Sequence, residues 1–549
     1  MTVPELRPWR TAGPRVARAA GAVRPRLTRF ARTATPWVAR FARTTAPQLA
    51  RITRPKTWQY TAGAATAGLA LAAGVVTAAG PWDSTGQRTA ERDRAVALDH
   101  TGGTDHGRGP GNSGTAPGSP RPAPSAGPVL AGLGGTTTGG VKAAPGDRAA
   151  LADLLDPLLK DAPALGERRA AAVVDLTTGK RLYGLDSGTA LTPASTTKIA
   201  TAVAALTALG PDHRLTTRTA LEADTGELVL VGGGDPTLTA REDDGGTSRS
   251  WGSPRASEAE SGGGLASLRT LAEKTAAALK KRDVRKVTLS YDTTLYAGTD
   301  LHPIGVNENL ARVTALMADE GRTDDSTSGP APRVADPADA AARAFAGFLK
   351  QHGITASPPG PSKATGRAAT LATVSSPPLS ALVERMLTNS DNDLAEALAR
   401  HTAVATGKRA DFAGAGAAIT ARLKQLGLPV DGARFHDGSG LDRTDLITPD
   451  LLTALLTEAA DPSRPQLRPV LTGLPVAHFT GTLAGRYTDG AAGLVRAKTG
   501  TLTGVNTLAG TITTPDGHLL GFAFLANATT DAWAAQSALD RAATTLASP

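Results

Sequence analysis

Pro193-Ala194-Ser195-Thr196-Thr197-Lys198 opens an Ala-rich run that continues to Leu209 and stops at Gly210-Pro211. Ala and Leu are strong helix formers, and a proline before the run with Gly-Pro after it are start and stop signals, so Ala194–Leu209 is expected to be a helix. Ser195 and Lys198 then fall at i and i+3 on one face, a hydroxyl with an amine one turn away. Two strand-like segments precede the helix, Ala170–Asp175 and Arg181–Leu185, joined by a Leu176-Thr177-Thr178-Gly179-Lys180 turn. Two more lie near the end of the chain, Thr507–Thr514 and His518–Ala526, joined by Pro515-Asp516-Gly517. That order predicts an α+β fold, an antiparallel sheet with the Ala-rich helix packed on it.

Two further motifs follow Ser195-Thr196-Thr197-Lys198 in fixed order, Ser390-Asp391-Asn392 and Lys498-Thr499-Gly500, and each occurs once. Together they supply a nucleophile, an amine, a second hydroxyl, an amide and a cation, a set suited to acyl transfer through a serine ester. A serine hydroxyl is a poor nucleophile at neutral pH, and Lys198 is placed to take its proton. The reference amine pKa is about 10.4, but a helix N-terminus, partial burial and the Lys498 cation would all disfavour the charged form. Lys498 and Thr499 suit a substrate carboxylate. Gly500 is expected because a side chain there would obstruct substrate lying along the strand. The competing local readings are a helix N-cap for Ser195, a solvated Lys198, a cap by Ser390, Asp391 or Asp393, and a plain strand end for Lys498-Thr499-Gly500.

Composition bounds the rest. The 549-residue chain has a formal charge of +9, yet residues 1–56 hold 13 Lys and Arg against the single acid Glu5, so this arm is +12 and the other 493 residues are −3. The basicity is local, and no basic surface interleaved with aromatics points to nucleic acid. Thr57–Trp82 carries no charge and is long enough to cross a bilayer of about 30 Å as a helix. A retained anchor with the body outside is expected, with a cleaved secretory signal as the alternative. Residues 83–147 are rich in Gly, Pro, Ser and Thr, the composition of a disordered linker. The absence of Cys removes disulfides, thiol catalysis and thiolate metal sites. Nine histidines show no metal spacing, Gly232–Gly234 reads as a turn because Asp235 would repel phosphate, and no metal or cofactor is expected.

From Arg148 to Pro549 the chain resembles the low-molecular-mass class C penicillin-binding proteins, the D-alanyl-D-alanine carboxypeptidase/endopeptidase family. Besides the three motifs, Gly232-Gly233-Gly234-Asp235-Pro236-Thr237-Leu238, Asp437-Gly438-Ser439-Gly440-Leu441 and Gly481-Thr482-Leu483 look like that family's accompanying segments. The resemblance implies a serine β-lactamase/transpeptidase-like antiparallel sheet flanked by helices and interrupted by an inserted domain. The 194 residues between Ser195 and Ser390 leave room for one. The expected division is a basic cytoplasmic tail (1–56), an anchor or signal (57–82), a linker (83–147), a catalytic domain (148–240 plus 367–549) and an insertion (241–366). Within the insertion, Leu268–Lys281 and Ala335–His352 read as helices and Lys286–Tyr296 as a strand.

By the same resemblance, the Ser390 hydroxyl relays a proton to the leaving amine and Asn392 hydrogen-bonds the substrate peptide. The backbone N–H groups of Ser195 and Thr501 form the oxyanion hole. Read from the residues alone, Asp437–Gly440 is a loop near the cleft, with Asp437 structural rather than catalytic. The implied activity is serine D-alanyl-D-alanine carboxypeptidase or endopeptidase chemistry on peptidoglycan stem peptides outside the membrane, blocked by β-lactams. The rivals are a β-lactamase-like or esterase hydrolase and a non-catalytic wall-binding or β-lactam-sensing protein.

Overall fold

Ala170-Ala171-Ala172-Val173-Val174 is apolar without alternation, the pattern of a strand covered on both faces. The computed structural model, which describes residues 148–222, 224–241, 264–488 and 490–547, places it there. Strand β1 (Arg168–Asp175) lies inside a five-stranded sheet with β2 (Arg181–Leu185), β9 (Val495–Leu502), β10 (Val505–Thr513) and β11 (Leu519–Asn527). The order is β2-β1-β11-β10-β9, antiparallel throughout, with Arg168 opposite Asn527 and Thr507 opposite Gly500.

Successive side chains alternate between two cores. Ala170, Val174, Ala509, Ala523 and Leu525 face one helical layer, α2 (Thr197–Leu209), α5 (Leu379–Asn389), α6 (Asn392–Ala405), α7 (Phe412–Gln425) and α8 (Pro449–Ala460). Ala171, Val173, Leu508, Phe522 and Phe524 face α1 (Arg148–Leu159) and α9 (Ala532–Ala547) on the other side. The Ala-rich composition of α2 lets it sit deep in the first core, where ten of its residues from Thr197 to Leu206 are buried.

A second sheet, β6-β5-β4-β3-β8 with β7 beside β5, is built from β3 (Thr216–Glu222), β4 (Glu227–Val231), β5 (Lys286–Asp292), β6 (Thr355–Ala356), β7 (Gly360–Pro361) and β8 (Ala369–Ser375). Helices α3 (Leu268–Lys280) and α4 (Pro337–Gln351) cover it over a third core. Its first and last strands in the chain, β3 and β8, pair with each other, Thr216 opposite Ser375. The strands of this second sheet are drawn from 216–375, so two of them, β3 and β4, precede the segment 241–366 expected to be the insertion.

The basic arm 1–56, the uncharged span Thr57–Trp82, the linker 83–147 and residues 242–263 of the charged loop lie outside the described residues. Among the described residues no helix is long and apolar enough to cross a membrane.

Candidate active site

Ser195 does not begin an α-helix. It sits in a 3-10 turn, Ala194–Thr196, that leads into α2, and Ala194 ahead of it holds a left-handed φ of 48°. A non-glycine residue in that region stores strain, which persists only where the surroundings fix it. Here they do. Pro193 O accepts from Thr196 Oγ1 at 2.7 Å and from Thr507 Oγ1 at 2.8 Å. The Asn527 side chain takes both polar groups of Thr192, accepting its N–H at 3.0 Å and donating to its carbonyl at 3.1 Å. No capping bond is made by Ser195.

Lys198 lies in the first turn of α2, fully buried, and its Nζ donates to Ser195 Oγ at 3.0 Å, Asn392 Oδ1 at 2.6 Å and the Ser439 carbonyl at 2.7 Å. The second motif forms the junction between α5 and α6. Ser390 ends α5 in a left-handed conformation, φ 57°, and Asp391 caps α6 by accepting Leu394 N–H at 2.9 Å. This leaves the Ser390 hydroxyl and the Asn392 amide pointing to the same side as Ser195. Of the three candidate caps, Asp391 is the one that caps; Asp393 instead accepts Ala311 N–H at 3.0 Å and pairs with Arg333 at 3.1 Å.

The third motif lies on β9, the edge strand. Lys498 Nζ donates to Ser390 Oγ at 2.9 Å and to the Thr499 carbonyl at 2.8 Å. Thr499 and Thr501, on the opposite face of the pleat from Lys498, line a cavity of about 440 Å³ together with Ser195, Ser390, Asn392 and Arg486. Two hydrogen-bonded sets thus meet at the edge of that cavity, Ser195–Lys198–Asn392 and Ser390–Lys498.

Gly500 requires a correction. It faces away from the cavity, and a Cβ there would overlap Thr507 Oγ1 and come within 2.7 Å of Pro193 O and 3.1 Å of Ala194 Cβ. The glycine lets β9 close against the turn that carries Ser195; it does not clear a path for substrate. Gly440, at φ 80°, backs the same turn, and a Cβ there would overlap the Ala194 carbonyl.

The two lysines differ in their electrostatics. Burial pulls Lys198 down to about 8, while Asp437, Glu396, Asp391 and Asp393 oppose the shift. Burial holds Lys498 well below its usual range, and the Lys198 and Arg486 cations push it further. The expected help from Lys498 in lowering Lys198 is therefore secondary to burial.

Three contributors, Asn309, His302 and Glu396, had no local sequence signal, and the Ser439 carbonyl joins them from a segment that did. Asn309, in an irregular stretch of the insertion, accepts Asn392 Nδ2 on its carbonyl at 2.9 Å. His302, from the same stretch, bonds Asp437 at 3.0 Å. Glu396 and the Ser439 carbonyl stand behind Lys198. Asp437 is buried among the amides of Ser439, Gly440 and Asp442 at 2.6 to 3.0 Å, a loop-holding role as expected. Buried acids do cluster at His302-Glu396-Asp437 and Glu320-Asp391-Asp393, but these groups are engaged with amides and arginines: Glu320 pairs with Arg322 at 2.7 Å and Arg385 at 2.6 Å.

Comparison with known proteins places these features in context. Residues 151–332 and 323–546 match the profile of the D-Ala-D-Ala carboxypeptidase 3 (S13) family. The chain is 34% identical over 368 residues to carboxypeptidase DacB of Mycolicibacterium smegmatis, covering 65% of this chain and 75% of that one. It is 35% identical over 377 residues to a carboxypeptidase of Mycobacterium tuberculosis, covering 66% and 77%. Among solved structures it resembles penicillin binding protein 4 of Haemophilus influenzae, with a TM-score of 0.57 and 21% identity over 72% of this chain and 98% of that one.

Proposed function

We infer, from a chain that belongs to the D-Ala-D-Ala carboxypeptidase 3 (S13) family, how its own residues carry out the family's serine peptidase chemistry. The protein is a serine D-Ala-D-Ala carboxypeptidase with an α+β penicillin-binding fold. The observation that carries the residue assignment is the 3.0 Å contact between Ser195 Oγ and a buried Lys198 Nζ pulled down to about 8.

Neutral Lys198 takes the proton of Ser195 as Oγ attacks the carbonyl carbon of the penultimate D-alanine. The oxyanion forms beside the backbone N–H groups of Ser195 and Thr501, whose residues line the same cavity. Asn392 accepts from Lys198 and holds the substrate amide, and the Ser390 hydroxyl, bonded to Lys498, gives its proton to the departing amine and regains the one that Lys198 took from Ser195, which restores the base. Water then resolves the ester. The substrate carboxylate meets Thr499 and supplies the anion that the buried Lys498 lacks. An endopeptidase cut of a D-alanyl cross-link uses the same steps with a larger leaving amine. The basic arm and the uncharged Thr57–Trp82 span support a body held outside a membrane.

Benzylpenicillin should add once to a protein lacking residues 1–82, at the peptide containing Ser195 and not in Ser195→Ala, and the same protein should release D-alanine from diacetyl-L-Lys-D-Ala-D-Ala. Labelling at Ser390, or rapid turnover of the penicillin with no D-alanine released, would overturn the assignment in favour of another nucleophile or a β-lactamase.

A further inference from the structure

Glu396 stands one turn after Asn392 on α6 and is wholly buried. Its carboxylate accepts the Gly438 N–H at 3.1 and 3.2 Å and the Ser439 N–H at 2.9 Å. The carbonyls of these same two residues face the helix that carries the base: Ser439 O accepts Lys198 Nζ at 2.7 Å, and Gly438 O accepts Thr201 Oγ1, one turn further on, at 2.7 Å. The turn is thus held between a carboxylate on its amide side and the lysine on its carbonyl side. A neutral acceptor would satisfy those amides without the cost of burying a carboxylate beside a second one, Asp437.

We propose that Glu396 is a positioning residue for acylation: it holds the Ser439 carbonyl against Lys198 and balances the positive charge that Lys198 gains on taking the Ser195 proton. The inference rests on the assignment of Lys198 as base. The charged and titratable groups around Glu396 fit that role. From the 437–445 loop come Asp437 and the more distant Asp442 and Asp445; from the insertion, His302 and Tyr296; from its own helix, Arg400; from α2, Lys198. Asp437 is held low, because its His302 bond and its amide donors outweigh burial. His302 is raised, because Asp437 and Glu396 outweigh burial. Glu396 is the member left poised, pushed up by burial and by Asp437 to about 7. Its charge and that of Lys198 therefore reinforce one another in the range where the enzyme would work.

The test is the pH profile of acylation by a fluorescent penicillin, in wild type, Glu396→Gln, Glu396→Asp and Thr201→Val, with Lys198→Arg run first. If Lys198→Arg acylates normally, the base assignment fails on its own terms, before Glu396 is tested. Otherwise Glu396→Gln should move the acid limb to lower pH by about one unit, because removing a nearby negative charge makes the ammonium easier to deprotonate. Its plateau should fall on the order of tenfold. Glu396→Asp keeps the charge and loses reach, so it should keep the limb and lower the plateau. Thr201→Val loosens the same turn without touching charge, and its limb should stay in place. A Glu396→Gln limb that does not move while the plateau falls would make Glu396 a structural residue and overturn the proposal. If Glu396→Gln does not fold, a folded Glu396→Asp with a wild-type plateau overturns it equally.

Discussion

Gly500→Ala tests the contact between β9 and the nucleophile turn. The added methyl would overlap Thr507 Oγ1 and sit 2.7 Å from Pro193 O and 3.1 Å from Ala194 Cβ. Ordinary contact begins near 3.4 Å, so the turn and the strand must separate by more than half an ångström even if Thr507 changes rotamer. Thr507 cannot do so without losing its 2.8 Å bond to Pro193 O, one of the three bonds that hold that carbonyl two residues before Ser195. Overpacking of this kind costs about 1–3 kcal/mol. A displacement approaching an ångström at the reacting atoms costs on the order of 10²-fold in rate. Acylation by a fluorescent penicillin, followed by stopped flow, should therefore slow by roughly two orders of magnitude. The urea midpoint should fall with it, and Thr507→Ala in the same chain should restore part of both. If instead the melt is unchanged and the loss is confined to substrate affinity, Gly500 serves to admit substrate and the packing argument is wrong.

Three further outcomes follow. Lys198→Arg keeps a cation that cannot act as a base and should lose acylation by on the order of 10³-fold, whereas Lys498→Arg should lose less; equal mild losses would remove Lys198 as base. Burial depresses His401 from 6.5 to about 4, so its contribution to stability is present above pH 6.5 and lost as pH falls toward 4. About 3 kcal/mol should disappear over that window in wild type relative to His401→Leu, read from urea midpoints at each pH, and parallel curves would refute it. Removing residues 1–82 should release a soluble, active body, and a native N-terminus found near Gly80 would establish cleavage in place of an anchor.

The local parts of this molecule could be read from the chain. Arg181–Leu185 and the Ala-rich helix carry their own stop signals, and Ser195, Ser390 and Lys498 announce themselves by their neighbours. The pleat phase that turns Gly500 inward was also readable, since Thr499 and Thr501 must share the face opposite Lys498 and Gly500. The limits of the insertion were not readable, because Thr216–Glu222 and Glu227–Val231 are ordinary strands whose partners lie far along the chain, at 369–375 and 286–292. Glu396 and Asn309 were hidden for the same reason. Each acts through a backbone group brought close by folding, and a backbone group leaves no mark in composition.

The pairing of Arg168 with Asn527 sets an order of assembly. Strand β1 finds its β11 partner only after more than three hundred intervening residues, and such distant contacts make closure of a sheet slow. The side chain that clasps Thr192, three residues before the nucleophile, belongs to Asn527, at the far end of the same late strand. A ribosome or export channel that has released everything up to β8 has released Ser195 and Lys198, but neither Lys498 nor the clasp. Until its last strands arrive, the carboxypeptidase is unarmed. A chain clipped ahead of Val495 stays so permanently.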